Sequence, residues 1–157
     1  MIISPKTIVG EQIVSQLLSI ENQVQQNGID LTIANIQKMA GICQLYRDSR
    51  KTPELEDVDF DENECVLLYP GTYDVTFNEY VAIPNEMCAQ IIQRSTLNRT
   101  GNFITSGLYD AGFENHIGCV LHVTNPISLQ RGARLAQIVF SVAEEGELYN
   151  GIYKDQS

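Results

Sequence analysis

The chain has 157 residues and a mass of 17.5 kDa, with 20 acids against 10 bases and a formal net charge of −10. That is the size of one ordinary domain, able to bury roughly 70% of the surface its unfolded chain exposes. With 43% apolar and 19% charged residues and a pI near 4.5, the composition excludes a disordered or coiled-coil chain and argues against a long nucleic acid or an anionic membrane as partner.

Met1–Lys6 lacks the basic and long apolar regions of a secretory signal, so a cytoplasmic location is expected. Ser4-Pro5 predicts a helix start, a capping hydroxyl followed by proline at the first helical position. Val9, Ile13, Val14, Leu17 and Leu18 recur at helical spacing, which carries a short amphipathic helix to about Ser19. Ile29–Ile33 alternates apolar and polar residues and predicts a half-buried strand.

Between Glu54 and Glu64 stand seven acids and no base; without them the net charge is only −3. Asp57-x-Asp59-x-Asp61 begins like a calcium loop, but Glu62 replaces the glycine of the sharp turn and Leu68 the bidentate acid. A solvated loop before a strand is expected instead. From Cys65 the pattern is β. Cys65–Tyr69, Tyr73–Phe77, Tyr80–Ile83, Met87–Ile92, Ile117–Val123 and Leu135–Ser141 read as strands, punctuated by Pro70-Gly71, Pro84, Asn125-Pro126 and Arg131-Gly132. Short strands without βαβ alternation predict a mainly-β sandwich or jelly roll in one domain. Cys43, Cys65, Cys88 and Cys119 form no CxxC pair and read as reduced core thiols. His116 and His122 carry no metal-ligand spacing.

Candidate chemistry lies between Gln93 and Gln137. Four of the ten bases, Arg94, Arg99, Arg131 and Arg134, fall here, two of them beside Ser95 and Thr96 after an apolar strand. Guanidinium and hydroxyl groups there suit phosphate oxygens, although a turn of solvated arginines would read alike. In Ser106–Phe113 a carboxylate and an aromatic ring flank a glycine turn. Asp110 suits a general base and Phe113 a platform for a flat ligand; a β-hairpin with an Asx turn is the structural alternative. Gln137 is the one amide inside an apolar run, either a structural satisfier or a ligand contact.

Arg94-Ser95-Thr96-Leu97-x-Arg99, Asp110-Ala111-Gly112-Phe113, Arg131-Gly132-x-Arg134-Leu135-Ala136-Gln137 and Tyr149-x-Gly151-x-Tyr153-x-x-Gln156 resemble the ordered motifs of the dUTPase and dCTP deaminase superfamily. Asn27–Leu31 resembles its first motif, so the likeness runs along nearly the whole chain. The resemblance implies a dUTPase-like distorted jelly roll (a β-clip) with a short N-terminal helix. It also implies one domain over 1–157, a tail over 142–157 that closes on an active site, and a homotrimer with sites at subunit interfaces.

Deaminating members place a catalytic Glu ten residues after this aspartate; here that position is Val120, and a register shift of two would give His122. Glu114 is close in sequence but is expected in the turn. Deamination is therefore disfavoured, and hydrolysis of dUTP to dUMP and pyrophosphate is what the resemblance implies. Asp110 would activate water, Mg²⁺ would bridge the triphosphate oxygens, and Asp30 would hold the metal indirectly through water. Arg94, Ser95 and Gln137 would grip phosphates, with Thr96 and Arg99 also substrate-binding. The backbone from Ile104 through Leu108 to Asp110 would read the uracil, and Phe113 would exclude a 2′-hydroxyl. Tyr149, Tyr153 and Gln156 would contribute from the tail. Alternatives are a dCTP deaminase, a bifunctional deaminase and dUTPase, and a non-catalytic nucleotide-binding trimer.

Overall fold

The computed structural model describes residues 1–144 and 148–153. In chain order the elements are α1 (Pro5–Gly10), β1 (Val14–Ser15), α2 (Ile20–Gln23), β2 (Ile29–Ala40), β3 (Gln44–Leu45), β4 (Arg50–Lys51), β5 (Glu54–Asp57) and β6 (Cys65–Leu68). They continue as β7 (Gly71–Ala82), β8 (Met87–Gln93), α3 (Ser95–Asn98), β9 (Phe103–Thr105), β10 (Leu108–Tyr109), β11 (Glu114–Val123), β12 (Ile127–Gln130) and β13 (Arg134–Val142). The main antiparallel sheet runs β10-β8-β13-β2-β7-β11-β9, with β1 added to β7 and β5 to β2; β12 pairs β6, and β3 pairs β4. The mainly-β, distorted jelly-roll class with a short N-terminal helix is borne out.

The long strand β7 organises the core. Its residues alternate so that Tyr73, Val75, Phe77, Glu79 and Val81 are buried while those between them are half-exposed. Ile33 and Ile36 of β2, Leu121 of β11, and Ile138 and Phe140 of β13 complete the same apolar layer. Tyr73–Phe77 and Tyr80–Ile83 are thus parts of one strand and not two. Asn78 and Glu79, which read as a gap, hold the strand to its neighbour. Asn78 Nδ2 donates to Thr32 Oγ1 at 3.0 Å, and fully buried Glu79 accepts from Gln23 Nε2 and Thr32 Oγ1 at 2.6 Å each and from Thr32 N at 3.0 Å.

The helix is shorter than its apolar spacing predicts. Gln12 takes a positive φ of 57°, the chain leaves the helix after Gly10, and Val14 pairs with Val81 of β7. Ile13 and Val14 are buried by this strand pairing, and Leu18 is exposed. The expected half-buried strand is covered on both faces, because Asp30 and Thr32 are as buried as Leu31. The acidic loop is partly a strand: β5 pairs with the end of β2 and leaves Glu54–Asp57 exposed on a charged edge, which discourages pairing with another chain. Further on, Asp61 Oδ1 accepts from the backbone N–H groups of Asn63 and Cys65. All four cysteines are free, but only Cys119 is a core thiol; Cys43 is exposed, and Cys65 and Cys88 are half-buried.

A bulge in β11 between His116 and Gly118 sets the approach of β11 to β7. A Cβ on Gly118 would lie 2.4 Å from the Val75 carbonyl oxygen, a backbone atom that cannot move aside. Gly118→Ala is expected to destabilise the fold by about 1–3 kcal/mol through overpacking, read as a lower urea midpoint at unchanged slope.

Candidate active site

One end of β8 carries an anion-facing cluster. Asp30 on β2 is buried, and its Oδ2 receives Arg94 Nε at 3.2 Å, Arg134 Nη1 at 3.2 Å and Gln25 Nε2 at 3.1 Å. Arg134 also donates to the Asn22 carbonyl at 2.7 Å. Burial pushes the Asp30 carboxyl above its usual range, and the two guanidinium groups and the Gln25 amide pull it back. Two guanidinium groups on one carboxylate leave a local net positive charge, with both arginines partly exposed. The geometry makes Asp30 the residue that orients them. Facing two cations, it is better suited to that role than to a hydrated dication.

Ser95 and Thr96 are exposed at the start of α3, which is anchored by buried Leu97. Gln137 lies opposite Asp30 on β13 and is half-buried, not fully buried as an amide in an apolar run suggests; its Oε1 sits against Gly28. The remaining two arginines do not join the cluster. Arg99 ends α3 on the surface, and Arg131 turns to the other side, stacking over Phe60 at 4.0 Å and donating to the Ala34 carbonyl. Closeness in sequence did not become closeness in space.

The second region is a cleft of about 500 Å³ on the other side of the sheet edge, where Asp110 is exposed. The expected hairpin over 106–113 is a crossing: β9 pairs with β11, whereas β10 pairs with β8, so Ser106-Gly107 passes between the two. The turn at 110–113 is tied to Ile83 by two backbone bonds, Gly112 N to Ile83 O at 2.8 Å and Ile83 N to Phe113 O at 2.9 Å. Phe113 is buried and meets Tyr109 edge-on at 4.9 Å and Tyr149 at 5.7 Å between ring centroids. Tyr109 Oη donates to the Gly118 carbonyl at 2.8 Å.

The chain's C-terminal segment lies on this turn. Tyr149 N donates to the Ala111 carbonyl at 2.6 Å, and Asn115 Nδ2 donates to the Tyr153 carbonyl at 3.1 Å. Gly112 has φ of +88°, and a Cβ there would meet Leu148 and the Tyr149 backbone at 2.8 Å, so the glycine makes the seat. Tyr149 and Tyr153 line the cleft; Gln156 lies outside the described residues.

Ile104 is in the core with its N–H donated to Gln93 Oε1, so that donor is already used, while Leu108 is exposed. Both border an adjoining cleft of about 440 Å³. Val120 is on β11 as expected, opposite Asp74 of β7 and Thr105 of β9. His122 stacks on Phe103 and bonds Thr105, and Glu114 begins the strand and does not sit in the turn. Sequence reasoning missed Asp74, a half-buried carboxylate that lines the same cleft as Asp110. Its only signal was that of an ordinary polar residue in an alternating strand.

The register separates the two regions. Tyr109 pairs with Ala89, whereas Arg94 follows the far end of β8. Five residues at about 3.3 Å each place the Asp110 turn and the arginine cluster roughly 17 Å apart along the strand.

A family model described as dCTP deaminase-like matches residues 5–143. The chain is 35% identical over 138 residues, 85% of its length and 88% of the relative's, to a protein of Methanocaldococcus jannaschii named deoxyuridine 5′-triphosphate nucleotidohydrolase. In fold it is similar to a 2′-deoxycytidine 5′-triphosphate deaminase of Agrobacterium tumefaciens, with a TM-score of 0.70 and 18% identity over 90% of this chain and 46% of that one. It is similar as well to a dUTPase of Staphylococcus bacteriophage 80alpha with dUpNHpp, with a TM-score of 0.53 and 17% identity over 92% and 97%.

Proposed function

From membership of the dCTP deaminase-like family, to which this chain belongs, we infer that it is a dUTP diphosphatase, hydrolysing dUTP to dUMP and pyrophosphate. One observation carries the choice between the family's two reactions: where the resemblance puts a deaminase glutamate stands Val120 or, with a shift of two, His122, neither of them a carboxylate, while the exposed carboxylate of Asp110 remains at the cleft. The relatives named for dUTP hydrolysis support the same choice.

In the reaction, Asp110 accepts a proton from water as the water oxygen attacks the α-phosphorus. The bond from that phosphorus to the bridging oxygen breaks, and pyrophosphate leaves with the bonding pair. Arg94 and Arg134, held by Asp30, offer charge-assisted hydrogen bonds to the departing oxygens, together with Ser95 and Gln137. Phe113, walled in by Tyr109 and Tyr149, gives the sugar an apolar contact in which a 2′-hydroxyl would have no partner. Among the described residues no three His, Cys, Asp or Glu side chains gather as metal ligands. Mg²⁺ carried on the triphosphate would supply charge neutralisation at the leaving group.

A base and a phosphate grip roughly 17 Å apart along β8 lie far apart for one α-phosphorus, which favours a site shared between chains. The reading therefore includes a homotrimer in which Asp110 of one protomer meets Arg94 of the next. Four free thiols suit a reducing, cytoplasmic location.

Pyrophosphate and ammonia release, measured side by side on dUTP, dCTP, dTTP and dATP with Mg²⁺, tests the reaction. Pyrophosphate from dUTP without ammonia from dCTP is expected. Ammonia from dCTP would move the chain to the deaminase side, and nucleotide binding without turnover would make it a binding trimer.

A further inference from the structure

Asp74 has no role in the reaction just described, yet it faces the same cleft as Asp110, Phe113 and Tyr153. It sits on β7 directly opposite Val120, with Gln37 of β2 opposite on its other side. The Gln37 amide is already donated to Asp57, and among the described residues no hydrogen bond reaches the Asp74 side chain. Among the described residues, no lysine or arginine lines the cleft. Among the described residues, the titratable groups around Asp74 are the Tyr109 hydroxyl on β10 and the Cys119 thiol on β11, with Asp110, His116, Tyr149 and Tyr153 also lining the cleft. Burial pushes the Asp74 carboxyl above its usual range and the Cys119 thiol up to about 12. A half-buried acid with no cation or donor among the described residues is an acceptor facing the cleft, open to a ligand that donates to it.

Resting on the reading that this cleft takes a pyrimidine, we propose that Asp74 is a specificity-determining residue whose carboxylate accepts the N3–H of uracil. A carboxylate is an acceptor only. Uracil offers N3–H as a donor, whereas cytosine presents a lone pair at N3, so the same carboxylate complements one base and opposes the other. Val120, opposite Asp74 on β11, offers neither donor nor acceptor.

The test uses full-length wild type, Asp74→Asn and Asp74→Val, with calorimetric binding of the α,β-imido analogues of dUTP and dCTP in the presence of Mg²⁺. In both variants the preference for the uracil analogue falls about 10–100-fold, because the discriminating acceptor is replaced by an amide that suits either base or is removed. Thermal unfolding supplies the second readout. Loss of an unpaired buried acid raises the Tm by about 2–4 °C near neutral pH. The sign follows from the raised carboxyl: its destabilising effect is absent below the usual value of 3.8 and grows as pH rises through the higher value in the folded protein. The gain in the variants accordingly fades in acid.

An unchanged base preference overturns the proposal, as does a lower Tm at unchanged preference, which would make Asp74 a structural group. Ammonia release from dCTP by wild type that is lost in Asp74→Asn also overturns it, assigning proton transfer to Asp74. Binding that discriminates bases without pyrophosphate release from dUTP sinks the hydrolase reading and leaves this one standing. A wild type that binds neither analogue sinks both.

Discussion

Asp110→Asn lowers pyrophosphate release from dUTP by about 10³–10⁴-fold while nucleotide binding and thermal stability stay near wild type. The substitution keeps the size of the side chain and removes its basicity. Asp110 is exposed, and the turn that carries it is held by backbone bonds to Ile83 that an amide does not disturb. A fall in turnover without a fall in Tm therefore isolates the proton transfer. Arg94→Ala reaches a similar low turnover by a different route, loss of the phosphate grip, and weakens binding. Because the two groups sit far apart on one chain, mixing the two dead variants is informative. Random reassembly gives about a quarter of the sites an intact Asp110 and an intact Arg94 from neighbouring protomers, and activity returns in that proportion. No recovery after refolding of the mixture would place base and grip on the same chain, against the register of β10 on β8.

Glu79→Ala destabilises the fold by about 3–5 kcal/mol, measured by urea unfolding, because it orphans several buried donors at once. The Gln23 amide, the Thr32 hydroxyl and the Thr32 N–H all point at this carboxylate, which has no exposure to solvent. Glu79→Gln is not a rescue. An amide presents one acceptor and two donors where all the surrounding groups donate, so one N–H must face another. Thr32 and its neighbour Asp30 share β2, so loosening this junction also loosens the strand that aims Arg94 and Arg134. The Ala variant is expected to lose part of its phosphate affinity even below its melting temperature.

The strands after Cys65 were legible because Pro70-Gly71, Pro84, Asn125-Pro126 and Arg131-Gly132 mark their ends in the sequence itself. The N-terminal segment was not, since the spacing of Ile13 and Val14 serves a helix face and a strand end equally well. What decided between them was pairing with Val81, a residue far along the chain. Asp30 and Asp74 mark the same boundary inside the site. Each reads locally as the solvent-side residue of an alternating strand, yet Asp30 is buried and Asp74 lies half-exposed in a cleft built by later elements. Asp110 and Phe113 could be singled out because a glycine turn sets a carboxylate beside a ring. Arg131 shows the converse, a motif arginine that the fold sends to Phe60.

The aromatic wall around Phe113 has an optical consequence. The chain contains no tryptophan and seven tyrosines, and three of those, Tyr109, Tyr149 and Tyr153, border the cleft. Phenol emission and near-ultraviolet dichroism therefore report on this place through three of the seven phenols, with no indole to mask them. Tyr149 belongs to the C-terminal segment and Tyr109 to the strand beneath it, so Tyr149→Phe and Tyr109→Phe variants assign the signal to one or the other. The protein carries its own label for following each turnover as it happens.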